Sequence, residues 1–234
     1  MNNIEIFKRI EQKYVLSEEE YNKLMKLIID HLEKDKYFRS KICNIYFDTK
    51  NYDLIVNSLE KGEYKEKVRL RSYNIPTLDD NVFLEIKSKL DGVVYKRRVT
   101  LKLNDFYNYL NGNKASSSNP QIMREIDYTL KKYNLEPKYY IAYDRTSYFD
   151  KENKCFRITF DENIRSRNTD LKLEYGDAGK LYFDDKQYIM ELKTIGGLPL
   201  WFTKILSDLK IYPKSFSKYG NIYKDKIKEE LLYV

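Results

Sequence analysis

The stretch VRLRSY, residues 68–73, alternates apolar and basic side chains: Val68, Arg69, Leu70, Arg71. In a β-strand successive side chains point to opposite faces, so Arg69 and Arg71 share one. Two adjacent guanidinium groups on one face repel each other. The fold must therefore give that face something to meet.

The same two-residue period runs through the other strand-like stretches. In RIEQKY, Arg9, Glu11 and Lys13 align. In FLEIKSK, Glu85, Lys87 and Lys89 align against Leu84 and Ile86, and in YKRRVTL, Lys96, Arg98 and Thr100 share a face. Arg145 follows IAYD. In FRITFD, Arg157, Thr159 and Asp161 oppose Ile158 and Phe160, and in MELKT, Glu191 and Lys193 oppose Met190 and Leu192. A sheet with one wet face shows such alternation routinely, but it gains from opposite charges across strands and loses from like ones. Here the face carries eleven bases (Arg9, Lys13, Arg69, Arg71, Lys87, Lys89, Lys96, Arg98, Arg145, Arg157, Lys193) against four acids (Glu11, Glu85, Asp161, Glu191). That imbalance points to a bound polyanion, and arginine suits bidentate contact with phosphate oxygens.

Strands are expected at 6–15, 42–48, 65–73, 82–89, 93–101, 139–148, 155–161, 171–175 and 187–194, each bounded by turn residues. Helical patterns fall at 17–34, about 52–60, about 104–110, 120–133, 199–210 and 221–231. Ser17 and Glu20 have capping-box spacing, and Pro120 suits a first helical turn. NGNKASSSNP, 111–120, reads as a loop within one domain. Many antiparallel strands in one domain predict a mainly β, α+β fold: an eight-stranded closed barrel with peripheral helices, since closure removes sheet edges. Inward-facing charges would then require a lumen holding water, a polyanion and, between phosphates and carboxylates, Mg²⁺ or Mn²⁺.

Composition narrows the chemistry. The chain has 234 residues, 42% of them hydrophobic, and a net charge of +7, which favours an anionic partner. The 23 tyrosines accompany many Asn, Ile and Lys, a bias that an AT-rich genome also produces, so they argue little for base stacking. Cys43 and Cys155 are expected to be buried free thiols. The N-terminal stretch lacks a signal-peptide pattern, and no apolar run is long enough to span a membrane; a cytoplasmic protein is expected. The single histidine, His31, reads as a helix-surface residue, which excludes a histidine-rich metal site and leaves Ser-His or Cys-His catalysis without a good base. There is no Walker P-loop and no nucleic-acid recognition motif.

From RIEQKY to FSKYG the chain resembles the VTC domain, the catalytic domain of vacuolar transporter chaperone polyphosphate polymerases. This family lies among the triphosphate tunnel metalloenzymes, related to CYTH triphosphatases. The resemblance implies a tunnel of eight antiparallel strands in which the ATP γ-phosphate passes to a growing inorganic polyphosphate chain and ADP leaves. It implies that Lys13, Arg69, Arg71, Lys87, Lys96, Arg145 and Arg157, with Ser217 and Lys218 of FSKYG, hold phosphates, and that Glu191 of ELKT binds the metal. Arg9, Lys89, Arg98 and Lys193 extend the phosphate set, and Glu11 and Glu85 the metal set, because they share the charged face. Arg9 stands where CYTH triphosphatases have the first glutamate of E-x-E-x-K, which favours the polymerase branch. Ser215 stands where the family tends to have a base before FSKY, with Lys214 one step earlier. Two other readings share this face: a metal-dependent triphosphatase using water as nucleophile, and a polyphosphate-binding module without turnover, against which Glu191 counts. The resemblance is compatible with a membrane-associated partner; oligomeric state is not legible.

Overall fold

The computed structural model describes residues 9–60, 63–91, 93–113 and 117–232. Among the described residues, nine strands and six α-helices follow one another as β1 (Arg9–Ser17), α1 (Glu18–Ile28), β2 (Leu32–Asp48), α2 (Asp53–Leu59), β3 (Tyr64–Tyr73), β4 (Asn81–Leu90), β5 (Val93–Lys102), α3 (Leu103–Leu110), α4 (Pro120–Lys132), β6 (Glu136–Asp150), β7 (Arg157–Arg167), β8 (Lys180–Leu181), β9 (Gln187–Ile195), α5 (Leu200–Asp208) and α6 (Lys218–Leu232). Hydrogen-bonded neighbours run β1-β9-β7-β6-β2-β3-β4-β5, with β8 pairing β7. The β1–β9, β7–β9, β7–β8, β2–β3, β3–β4 and β4–β5 ladders are antiparallel. The fold is α+β and mainly antiparallel β. Hydrogen bonds do not close the sheet: its path ends at β1 and β5, and no ladder joins them among the described residues.

The chain forms two compact units. The first comprises Met1–Ser40, Tyr143–Ile164 and Phe183–Phe216, the second Lys41–Ala142, Arg165–Tyr182 and Ser217–Val234. In the second unit, Val68 and Leu70 of β3, Leu84 and Ile86 of β4, and Val99 and Leu101 of β5 form an apolar face. Phe106 of α3 and Met123, Ile126 and Leu130 of α4 cover it. In the first unit, Tyr14 and Leu16 of β1, Ile158 and Phe160 of β7, and Met190 and Leu192 of β9 do the same beneath Leu24 and Ile28 of α1 and Phe202 and Leu206 of α5. In the second unit α3 and α4, and in the first α1 and α5, take the apolar side, which leaves the alternate, charged residues on the other. Each fully buried Leu, Ile or Phe contributes about 1.5–3 kcal/mol, so pattern and packing fix the register together.

Ser17 and Glu20 form the capping box that opens α1. Three expectations from the sequence shift. The helix at 17–34 stops earlier: α1 ends at Ile28, a 3-10 turn covers Ile29–His31, and Leu32 already begins β2. That strand's first ten residues are mostly charged and, Leu32 apart, none is fully buried, so no alternation marked them as a strand. The strand expected at 171–175 is instead a 3-10 turn at Leu173–Tyr175, where buried Leu173 inserts into the core. Cys43 is buried as expected, whereas Cys155 is exposed in the β6–β7 turn; both are free thiols. Residues 6–8 of the first expected strand lie outside the described residues. His31 is exposed and stacks on Trp201 at 4.1 Å. No helix among the described residues is long and apolar enough to cross a membrane.

Candidate functional site

On the charged side of β3, β4 and β5 the register stacks like charges. Lys67 lies opposite Lys87, and Lys87 opposite Lys96. The next row reads Arg69, Glu85, Arg98, and Lys65 faces Lys89 on the other side. Directly opposed like charges destabilise a sheet, so this row of lysines is selected against unless it binds something. Glu85 is the one acid within these rows, and it is buried. Its Oε2 lies 2.6 Å from Arg69 Nε, and its Oε1 lies 2.7 Å from Lys96 Nζ and 3.9 Å from Arg98. Burial works to raise its pKa, but the charges of Arg69, Arg71 and Lys96 outweigh it and hold the carboxyl at about 2.

Two residues of β2 complete the support. Asn44 and Tyr46 pair with Arg71 and Arg69 across the ladder. Arg71 Nε donates to Asn44 Oδ1 at 2.8 Å, while Asn44 Nδ2 donates to the Ile141 carbonyl at 3.0 Å, so the amide is clamped from both ends. Arg69 Nη1 donates to the Tyr46 hydroxyl at 3.2 Å. Burial would raise the Tyr46 pKa, yet Arg69 and Arg71, with Lys218, bring it down to about 8. Lys67 Nζ donates to Ser217 Oγ at 3.2 Å, and Ser217 Oγ also accepts from the Gly220 N–H, capping α6. The start of α6 is held in turn by Tyr219, whose hydroxyl donates to Asp48 Oδ2 at 3.0 Å. Buried Asp48 also accepts the N–H groups of Thr49, Leu54 and Ile55.

The first unit has its own charged face. Here the rows read Lys13, Glu191, Thr159 and Glu11, Lys193, Arg157 across β1, β9 and β7. Arg145 of β6 grips Asp161 with two bonds of 2.6 and 2.8 Å and lies 3.9 Å from Glu191. Burial alone would lower the Arg145 pKa; Asp161 outweighs it, so the guanidinium stays charged. Glu191 is buried beside Lys193 at 2.5 Å. Burial opposes its ionisation, but Lys193, Arg145 and Lys13 prevail and hold it well below the usual carboxylate range. Lys13 Nζ donates to the Phe216 carbonyl at 3.1 Å, and Arg157 Nη2 donates to Asp35 at 2.6 Å.

The expected residues therefore fall into two groups. Arg69, Arg71, Lys87, Lys89, Lys96, Arg98, Ser217, Lys218 and Glu85 belong to the second unit; Lys13, Arg145, Arg157, Lys193, Glu191 and Glu11 belong to the first. The Arg9 backbone pairs with Ile195, and its side chain lies outside the described residues. The three acids expected to bind metal do not form one ligand set, and no group of three or more His, Cys, Asp or Glu suited to a metal ion occurs among the described residues. Glu85 is engaged by bases on both oxygens. In the first unit Glu191 has Glu11 nearby on the same face, 3.8 Å from Lys13. One buried and one more exposed carboxylate suit Mg²⁺ or Mn²⁺ drawing most of its ligands from phosphate oxygens and water. Lys67, Asn44, Tyr46 and Thr159 were not among the expected site residues. The alternation of Asn44, Tyr46 and Asp48 in NIYFD carried the signal for two of them, but neither is charged.

The family model of the VTC domain matches residues 8–225. The chain belongs to the VTC domain family. No curated protein matches it by sequence. Among solved structures, a candidate adenylate cyclase from Bacillus halodurans superposes with a TM-score of 0.54 at 15% identity, covering 89% of this chain and 93% of that one. HpAC1 from Hippeastrum, reported with a dominant triphosphatase activity, gives 0.53 at 14% identity over 93% and 96%. PH1819 from Pyrococcus horikoshii OT3 gives 0.51 at 13% over 94% and 99%. At these identities the likeness is one of fold, and this VTC domain shares it.

Proposed function

We propose that this VTC domain is a polyphosphate polymerase, in which the charged strand faces bind phosphate and the ATP γ-phosphoryl group passes to the end of an inorganic polyphosphate chain. The observation that carries this reading is the row Lys67, Lys87, Lys96 beside Arg69 and Arg98, with Glu85 as the one acid in those rows. Such a face is unfavourable when empty and favourable around a polyanion.

The attacking atom is a terminal phosphate oxygen, already ionised at neutral pH, so no general base is needed. Its lone pair forms the new P–O bond while the β,γ-bridging P–O bond breaks and its electrons stay on ADP. What the chain must supply is alignment and charge neutralisation. In this reading Arg69 and Arg71, held by Glu85, Tyr46 and Asn44, with Lys87, Lys89, Lys96, Arg98, Ser217 and Lys218, bind phosphoryl oxygens in the second unit. Lys13, Arg145, Arg157 and Lys193 do so in the first. Glu191 and Glu11 would hold Mg²⁺ or Mn²⁺, whose chemistry is to neutralise phosphoryl oxygen charge; Glu85 instead keeps its bases in place. Incubating the protein with ATP and Mn²⁺ tests the reading: long polyphosphate with ADP supports it, and ADP with free phosphate alone overturns it. That second outcome is the hydrolase reading, which the fold shared with HpAC1 favours.

A further inference from the structure

Strand β7 presents Arg157 and Thr159 two residues apart, on the face that also carries Glu191 and Lys193 of β9. Both hold an unused polar atom. Thr159 is 1% exposed, and its Oγ1 has no hydrogen-bond partner in the protein; Arg157 Nε is likewise buried and unpartnered. Buried polar atoms in folded proteins are almost always paired, because an orphan forfeits its bonds to water. The surroundings do not relieve these two. Asp161, the next residue on the face, has both carboxylate oxygens bound by Arg145, and Glu191, opposite Thr159, is bound by Lys193. Asp35 holds Arg157 by Nη2, and the Phe149 ring lies 5.4 Å from its guanidinium carbon, so the Nε edge is kept in a fixed direction.

We infer that Thr159 Oγ1 and Arg157 Nε form a two-donor subsite for a phosphate oxygen of the bound chain, with Thr159 a binding residue in its own right. An arginine Nε can only donate, so the missing partner is an acceptor. Lys193, Lys13 and Arg145 balance the Glu191 carboxylate and make an oxyanion tolerable beside it. The inference rests on the phosphate-binding reading and extends it to a neutral residue that charge alone does not reveal.

Thr159→Val keeps the shape and removes the hydroxyl. Without ligand this variant should melt at or above the wild-type temperature, because an unsatisfied group has gone. Its affinity for tripolyphosphate, measured by calorimetry, should fall about tenfold or more, the loss of one bond to a charged acceptor. Thr159→Ser, which restores the hydroxyl, should recover most of that affinity. ATP and orthophosphate as separate probes distinguish a chain site from one for any phosphate: the chain reading requires the loss to be larger for tripolyphosphate than for orthophosphate. Unchanged tripolyphosphate affinity in Thr159→Val, a lower melting temperature without ligand, or an equal loss for orthophosphate would overturn the inference while wild-type binding leaves the phosphate reading intact. Failure of the wild-type chain to bind tripolyphosphate would remove both.

Discussion

Tyr46 sits between two guanidinium groups, and its hydroxyl ionises near pH 8 rather than 10. A depressed folded-state pKa contributes stability that is fully present above the unfolded value and lost as pH falls through the folded one. Tyr46 should therefore make the protein more stable as pH rises from about 8 to about 10. An ultraviolet titration should show one tyrosine of the 23 ionising near pH 8, ahead of the others, and Tyr46→Phe should abolish that step; its persistence in the variant would reassign it. Glu85 carries the same sign at the acid end. Its pKa moves from 4.5 to about 2, which corresponds to about 3 kcal/mol, present above pH 4.5 and lost as pH falls toward 2. Glu85→Gln leaves Arg69, Lys96 and Arg98 facing one another without their counter-charge, so it should destabilise the free protein by roughly 3–5 kcal/mol. Added tripolyphosphate should restore much of the lost melting temperature. A variant as stable as wild type would mean that water already screens the cluster.

Strand β3 carries its two roles on opposite sides: Val68 and Leu70 in the core, Arg69 and Arg71 on the charged face. Arg69→Ala and Arg71→Ala should each remove ATP turnover while leaving the far-ultraviolet spectrum unchanged. Wild-type turnover in the double variant would sink their assignment. What was legible in the sequence follows from this division. Where a strand has one apolar face, as in β3, β4, β7 and β9, the period gave both the element and the orientation of its charges. Where no face is apolar, as in residues 32–41 of β2, nothing in the pattern separated strand from loop. The reverse failure occurred at 171–175, where a strand-like run folds as a 3-10 turn around one buried leucine. The site shows the same limit. Charged residues announced themselves by sign, but Asn44 and Tyr46 matter through partners on other strands, and Thr159 through having none. Those are properties of tertiary arrangement.

For the molecule as a whole, a net charge of +7 and charged faces rich in bases make ionic strength the natural control variable. Raising salt from low to physiological concentration shortens the Debye length to about 8 Å and should weaken tripolyphosphate binding steadily. Tripolyphosphate at low salt should raise the melting temperature, because a ligand bound only by the native state stabilises it. Binding that ignores salt would count against multiple contacts between bases and phosphate.

Asp48 stands at the end of β2, beneath the first turn of α2 and against Tyr219 of α6. One carboxylate thus ties the adjoining ends of β2 and α2 to α6, which lies far along the chain, and none can peel away without stranding that charge inside the protein. They should open as a single cooperative block. In native-state hydrogen exchange, the backbone amides of Leu54 and Ile55 should share one opening free energy with those in the first turn of α6, and Tyr219→Phe should lower that shared value for both helices while leaving the α1 amides untouched. The last turn of α6, where Leu231 and Leu232 are exposed, should fray independently. A helix near the end of the chain would then be locked at its first turn and loose at its last.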